Sequence, residues 1–561
     1  MGEIEKGGGT DPALKLIPLG GLGEIGLNMM VVEYGDSIIV IDCGLMFPDE
    51  HMLGIDIVIP DITYLIENKD KVLAFIITHG HEDHVGALPF VLRQINVPIY
   101  ATTLTIGLIE AKLSEHGLLG STEFETVRPR DVISVGPFDV EFIRVSHSIV
   151  DGCGLAITTP KGVVIHTGDF KFDQTPVDGE VLDYARFSEY GERGVLALLS
   201  DSTNVEKEGY TISEKEVGTR IDAVFGSCEG RIFFATFSSN IHRIQQVLDV
   251  AVKHGRKVIL NGRSMVANIA IARTLGYLNA PDGLIVEMNE LSTLPVQRVV
   301  LLTTGSQGEP MSALMRMAVD SHKKIKIRQG DTVILSSKFI PGNERSISTM
   351  MNHLYRRGAD VIYEKVSEIH VSGHASKEEL KIMLNMVKPK CFVPVHGEYR
   401  HLVLHARLAG TVGVAKENIV IAEDGDVVEF VGDGIEVTGR VESGRVFIDG
   451  KGVGDVGDLV IKDRMYLSKD GMVLAVVLLN ATTGEITYGP DIITRGFVLE
   501  EEGAELLERA KQGIIDALAE LGPEARTEGT EVTSTVKRVL RKLFNKELER
   551  RPVIFPVVIE V

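Results

Sequence analysis

The chain is poor in the features that mark several common classes of protein. Its four cysteines, Cys43, Cys153, Cys228 and Cys391, stand far apart with no paired spacing. That excludes a thiolate zinc knuckle and a disulfide framework, and leaves buried thiols. No apolar run reaches the roughly 18 residues that a membrane helix needs, and the first residues, MGEIEKGGGTDP, lack the apolar stretch of a signal peptide. A cytoplasmic protein without membrane contact is expected. Cations are outnumbered too: 58 Lys and Arg against 79 Asp and Glu give a net charge of −21. Generic affinity for nucleic acid comes from cations that neutralise phosphates, so a polyanion has to be held by a local cationic groove or by bound metal.

What remains is the composition of a large globular protein. The 561 residues are 44% hydrophobic and 24% charged, enough for three or four domains with their own cores. From Leu14 to Thr203 short strands follow one another across Gly-rich turns, among them LKLIPLG, SIIVIDCG, VLAFIIT and GVVIHTGD. Near residue 206 strands begin to alternate with helices, expected at Ile241 to His254, Ser264 to Leu278, Met311 to Val319 and Glu344 to Arg357. That is the signature of a parallel sheet with crossover helices. Short strands resume after Lys365, and two amphipathic helices close the chain. The expected division is 1–205, an insertion at 206–365, a return at 366–455 and a small α/β domain at 456–561. The basic run KRVLRKLFNKELERR reads as a solvated helix face rather than an RNA contact.

The strongest chemical signal is THGHEDH, directly after the strand VLAFIIT. It places His79, His81, Asp83 and His84 in one loop at a strand end, where several side chains can turn toward one point. His147, Asp169 and His396 follow other strands and complete two sets of nitrogen and oxygen ligands. Such sets suit zinc, with manganese as the harder alternative. Asp42, closing IIVID, is a carboxylate able to orient a ligating imidazole. His166 lies inside its strand and reads as a core histidine. In the alternating segment the strand ends TFSSN, NGRS, TTGSQG and SSKFIPGN are rich in Gly, Ser and Asn, as phosphate-holding loops are. His242, Arg243, Arg263, Lys338 and Arg345 beside them offer local positive charge.

These residues in this order resemble the metallo-β-lactamase superfamily. The insertion, bracketed by LLSDSTN, HVSGHAS and PVHGE, resembles its β-CASP nucleases, and GGLGEIGLN, TGSQGEPMSAL and IPGNE look like bacterial ribonuclease J along most of the chain. The resemblance implies an α/β protein: a metallo-β-lactamase αββα sandwich, an inserted parallel α/β β-CASP domain and a small C-terminal α/β domain. It implies two zinc ions per subunit, one on His79, His81 and His147, the other on Asp83, His84 and His396, with Asp169 bridging. Asp83, His84, Asp201 and His374 are implied as catalytic, and Ser238, Ser239, Asn240 and the segment His370, Val371, Ser372, Gly373, His374 as substrate contacts. Phe47 either stacks on a base or belongs to a core. Gly54, Asp56 and Asp449 match positions of a structural calcium in some members, or else serve a turn. The implied activity is hydrolysis of single-stranded RNA, 5′-to-3′ and internally, with preference for 5′-monophosphate ends. The implied setting is mRNA decay and rRNA maturation, as a homodimer or homotetramer with RNA-decay partner proteins. A small-molecule hydrolase of the same fold would not need the insertion; DNA as a substrate stays open.

Overall fold

Strands of Val, Ile and Leu buried on both sides, such as SIIVI and VLAFI, can lie only between two covering layers. The computed structural model describes residues 12–49, 51–309, 311–339, 343–363, 369–432, 434–450, 452–454, 456–497 and 500–561, so residues 340–342 of the SSKFIPGN loop lie outside the described residues. The chain divides into two units, residues 1–47 with 58–446, and residues 48–57 with 447–561.

In the first unit, eight strands run in the order Gly434–Arg440, Asp426–Val431, Leu14–Gly20, Met29–Tyr34, Ser37–Ile41, Val72–Ile76, Ile99–Thr102 and Phe124–Val127. A second sheet runs Pro389–Val395, Val195–Asp201, Gly162–His166, Cys153–Thr159, Phe138–Arg144 and Val132–Val135. One core joins them: Leu16, Val32, Ile39 and Ile76 meet Phe142, Leu155, Leu199 and Val393. Each such side chain contributes about 1.5–3 kcal/mol by leaving water. The outer face of the second sheet, with Ile143, Ile165, Leu198 and Phe392, takes up Phe187, Leu380, Met383 and Leu408 from helices Tyr184–Arg193, Lys377–Val387 and Tyr399–Thr411. Helix Thr103–Glu115 packs on the edge of the first sheet, completing an αββα arrangement.

Between Asp201 and the returning strand Pro389–Val395 the chain builds a third sheet, ordered Ile285–Val286, Lys257–Asn261, Val299–Thr303, Ile232–Ala235, Thr332–Leu335 and Asp360–Ile362. Every pairing in it is parallel. Helices Glu214–Ser227, Ile241–Lys253 and Arg263–Thr274 cover one face, and Ala313–Ala318 with Glu344–Arg356 the other. Parallel strands need such crossovers, and a sheet covered on both faces is buried throughout.

The second unit holds the three-stranded sheet Ile486–Arg495, Met472–Leu479 and Val553–Glu560, with helices Glu500–Ala519 and Gly529–Leu548. Val473, Ala475, Val477 and Leu479 face Ala510, Ile514, Val536 and Phe544. The alternate residues Leu474, Val476 and Leu478 are half-buried, and their register partners Phe555, Val557 and Ile559 are exposed. Helices Thr103–Glu115 and Asp458–Asp470 are not foreseen from sequence: both open on β-branched or tightly clustered apolar residues that read equally well as strand. No helix among the described residues is long and apolar enough to cross a membrane.

Candidate metal centre

Five strand ends in the sandwich bring the chemistry to one edge. Val72–Ile76 leads to the His79–His84 loop, Phe138–Arg144 to His147, Gly162–His166 to Asp169, Val195–Asp201 ends on Asp201, and Pro389–Val395 leads to His396. Asp42 follows Ser37–Ile41 and His396 follows its strand with φ of 61° and 53°, the left-handed region that disfavours side chains. The surroundings fix both. Asp42 N–H donates to Ile76 O at 3.1 Å, and His396 O accepts from Ser202 N–H at 3.2 Å.

Two donor groups result. His79 Nε2 and His147 Nε2 lie 3.0 and 3.1 Å from His81 Nδ1, and each lies 3.7 Å from Asp169 Oδ2. On the other side His84 Nε2 and His396 Nε2 both stand 3.3 Å from that same oxygen, and 3.7 and 3.5 Å from Asp83 Oδ2. One carboxylate oxygen thus sits between a trio of imidazoles and a pair of imidazoles with a carboxylate. Within each group the ligand atoms lie within 4.8 Å of one another.

The opposite ring nitrogens are occupied, which fixes the tautomers. His84 Nδ1–H donates to Asp42 Oδ2 at 2.7 Å, and His147 Nδ1–H to Gly373 O at 2.7 Å. His79 Nδ1 lies 3.0 Å from Thr78 Oγ1, whose hydroxyl donates to Asp42 Oδ2 at 2.9 Å. Such partners leave the lone pair of Nε2 free for a metal.

Burial pushes His79 and His147 well below the ordinary imidazole range and His81 to about 4, so all three rings are neutral bases. In the other group burial pulls the same way but is outweighed. Asp169, Asp83 and Asp42 raise His84 well above its usual value, and Asp169 and Asp83 with Asp201 raise His396 to about 10. Asp83 and Asp169 are held below the carboxylate range against the effect of burial, chiefly by His84 and His396. Buried carboxylates here demand positive charge, and among the described residues His396 Nε2 makes no hydrogen bond, although Asp169 Oδ2 stands 3.3 Å away. The donor set fits divalent cations of the zinc type, held by imidazole nitrogen and carboxylate oxygen. A cavity of about 20 Å³ lined by Asn28, Asp42, His84, Asp169, Asp201 and His396 adjoins it, room for about one water-sized species.

His374 stands beside this centre: its Nδ1 lies 2.8 Å from Asp201 Oδ2 and 3.9 Å from Asp169 Oδ2. His370 is half-buried, its Nδ1 is buried without a hydrogen-bond partner among the described residues, and desolvation lowers it to about 3. Val371 joins the core of the inserted sheet, and Ser372 Oγ accepts from His374 N–H at 3.2 Å. Ser238 and Ser239 are half-buried in the turn after Ile232–Ala235. Asn240 Oδ1 accepts from Arg243 N–H and caps helix Ile241–Lys253. Phe47 is 65% exposed, which removes the core alternative. In the second unit, Asp56 Oδ2 accepts from Gly450 N–H at 2.8 Å, and Asp449 Oδ2 takes a 2.6 Å hydrogen bond from Arg464, whose other nitrogen reaches Leu53 O. An added Cβ on Gly54 would meet that guanidinium at 2.6 Å. Arg464 therefore supplies the positive charge that Asp449 faces.

Three expectations change. Arg243 is not beside a phosphate loop as free charge: it is 0% exposed and paired with Glu214 at 2.7 Å. His242 pairs with Asp178 at 3.0 Å. His166 ends its strand rather than sitting within it, lines the small cavity, and accepts from Gly168 N–H at 3.0 Å, shaping the turn that presents Asp169. Sequence reasoning also passed over Asn28, whose Nδ2 donates to Asp83 O at 3.0 Å and lies 3.2 Å from His84 Nε2. Thr203 Oγ1, 3.3 Å from His396 Nδ1, was passed over as well. Both stand in quoted motifs, GGLGEIGLN and DSTN, and a polar residue fixed beside glycines or a ligand was the available signal.

Comparison with known proteins supplies the family. The sequence matches the metallo-beta-lactamase superfamily over residues 22–203 and the beta-CASP domain of ribonuclease J over 229–354. It also matches the Zn-dependent metallo-hydrolase RNA specificity domain over 358–421 and the ribonuclease J C-terminal domain over 459–561. It is 44% identical to ribonuclease J 1 of Streptococcus pyogenes over 541 residues, 96% of both chains. Identity is 41% to ribonuclease J2 of Bacillus subtilis, covering 98% of this chain and 99% of that one. For ribonuclease J of Thermus thermophilus it is 43%, covering 99% and 96%. In structure it resembles a protein of unknown function from Enterococcus faecalis, with TM-score 0.53 and 18% identity over 74% of this chain and 100% of that one, a likeness of fold alone.

Proposed function

Since this chain belongs to the ribonuclease J family, we propose that its centre hydrolyses RNA phosphodiesters, both stepwise from a 5′-monophosphate end and internally. The observation that carries this reading is Asp169 Oδ2 poised between two imidazole groups. His79, His81 and His147 would hold one zinc ion and Asp83, His84 and His396 a second, with Asp169 shared and manganese as the substitute. When bound, such a pair lowers the pKa of water toward neutrality and offsets charge developing on the phosphate.

The residues of the chain do the rest. Asp201 orients His374 through the 2.8 Å contact, so the far edge of that imidazole hydrogen-bonds the scissile phosphate or hands a proton to the departing 3′ oxygen. The products carry a 5′-phosphate. Ser238, Ser239 and Asn240, with the backbone of 370–374, hold the terminal monophosphate, which places the next phosphodiester at the metals and releases mononucleotides. Phe47, exposed after Asp42, stacks on a base. Residues 206–365 form the inserted domain. The corner of Asp449 is answered by Arg464, and calcium is left out of this reading. The apolar sheet face of Leu474, Val476, Phe555, Val557 and Ile559 supports assembly into dimers or tetramers.

The test is digestion of 5′-monophosphate RNA, 5′-triphosphate RNA and matching DNA, with products resolved by length. Mononucleotides released from the monophosphate RNA, and abolished in His84→Ala, are expected. Intact RNA in the presence of added zinc or manganese would overturn the reading.

A further inference from the structure

Arg243 is among the largest side chains with no exposed surface, and a guanidinium without exposure cannot touch a phosphate. Burying such a charge is costly unless its donors are answered. Here each nitrogen is. Nε donates to Gln246 Oε1 at 3.0 Å and Nη2 to Glu214 Oε2 at 2.7 Å, while Nη1 reaches both Ser336 Oγ and the carbonyl of Ile369, the latter at 2.8 Å. Ser336 Oγ–H donates to that same Ile369 carbonyl at 2.6 Å. Both Arg243 and Ser336 belong to the inserted domain: one lies in the first turn of helix Ile241–Lys253, the other follows strand Thr332–Leu335.

Ile369 begins a stretch whose last two members, Gly373 and His374, touch the catalytic centre. Gly373 O accepts from His147 Nδ1–H, and the His374 ring meets Asp201. His374 O accepts from Asn204 Nδ2–H at 3.2 Å and from Thr211 Oγ1–H at 3.1 Å. Asn204 Oδ1 in turn accepts from Lys338 Nζ at 3.1 Å, two residues beyond Ser336. The inserted domain therefore reaches both ends of the stretch: directly at Ile369, and through Asn204 at His374.

We propose that residues 369–374 are a strap by which the inserted domain positions His374 over the metal centre, with Arg243 and Ser336 as its anchor. Arg243 and Ser336 are positioning residues and touch no substrate. A displacement of about 1 Å at a reacting group can lower a rate by about a hundredfold, so a strap released at one anchor acts more strongly on turnover than on RNA affinity. This inference rests on the reading of the centre as an RNA-cleaving site.

The experiment uses the full chain with Ser336→Ala and Arg243→Lys, each checked for an unchanged unfolding midpoint. Ser336→Ala removes one oxygen and is the variant least able to impair folding. We expect kcat on 5′-monophosphate RNA to fall about tenfold or more, with a smaller change in KM. We expect crystals of the variant to show the His374 ring drawn away from Asp201. Unchanged kcat, or a raised KM at unchanged kcat, overturns the strap. So does lost turnover with the 2.8 Å contact to Asp201 intact. Failure of the RNA reading would appear instead as an inactive unsubstituted protein, and the position of the His374 ring in the variant crystals would then decide alone.

Discussion

The carboxylate of Asp42 holds His84 directly, Oδ2 to Nδ1 at 2.7 Å, and it also reaches the other donor group, because the Thr78 hydroxyl joins it to His79. One buried anion thus orients a ligand on each side of Asp169. Asp42→Ala is expected to weaken metal affinity at both donor groups by about 10–100-fold, the range typical for such orienting partners. Thr78→Val should weaken only the group containing His79. Zinc titration against a competing chelator measures this, and affinities equal to those of the unsubstituted protein would refute the tie.

Gly373 is small for a steric reason. A Cβ there would stand 2.5 Å from His147 Cε1 and 2.6 Å from Nδ1. Gly373→Ala should push His147 off its group and weaken metal binding about tenfold or more, since a ligating ring misplaced by this much loses most of its bond. Metal content after gel filtration gives the answer; a fully loaded variant would mean the ring has room to yield.

Ser239→Ala is expected to reduce the preference for monophosphate over triphosphate RNA by about 10–150-fold, the effect of losing one hydrogen bond to a charged group. Rates on the two substrates compared side by side decide it. Equal loss on both would place the terminal phosphate elsewhere.

Asp424 makes a contribution to stability that falls as pH rises toward 7. Burial and the neighbouring Glu24 push its carboxyl up to about 7, although Leu22 N–H donates to it at 3.1 Å and Arg445 lies near. Its unfolded value is near 3.8, so between these limits the folded state binds more protons than the unfolded one. The stability from this group is present at the acid end of that window and is lost as pH climbs to 7, with a slope of at most about 1.4 kcal/mol per pH unit. Asp424→Asn keeps the shape of the protonated form. It should raise the unfolding midpoint at pH 8 and leave it nearly unchanged at pH 4. A midpoint lowered at pH 8 would contradict the assignment.

Phe555→Asp, on the exposed apolar sheet face, should shift the protein toward monomers in light scattering while its fold persists, because the ring is 46% exposed and adds nothing to the inner core. An unchanged mass would exclude this face from the interface.

Much of this was legible in the sequence. THGHEDH after an apolar strand announces a metal centre, since four potential ligands stand within six residues, Asp83 and His84 in the short helix Glu82–Val85, and the alternation after residue 206 gives the parallel sheet by period alone. Arg243 shows where such reading stops. Beside TFSSN it looks like a phosphate ligand, but Glu214, Ser336 and Ile369 surround it from three distant stretches of chain. Phe47 fails in the same manner: an aromatic ring after a strand is as natural in a core as on a surface, and only packing decides.

By itself the sequence determined which chemistry is available: nitrogen and oxygen donors placed at strand ends, an inserted parallel sheet, and too little net positive charge to hold a polyanion without a local cationic groove or metal. Tertiary structure alone decided which lone pairs are free and which charges are spent. Those depend on contacts between residues as far apart as Asp42 and His84, His147 and Gly373, or Arg243 and Ile369, and no local pattern encodes a hydrogen bond closed across so much chain.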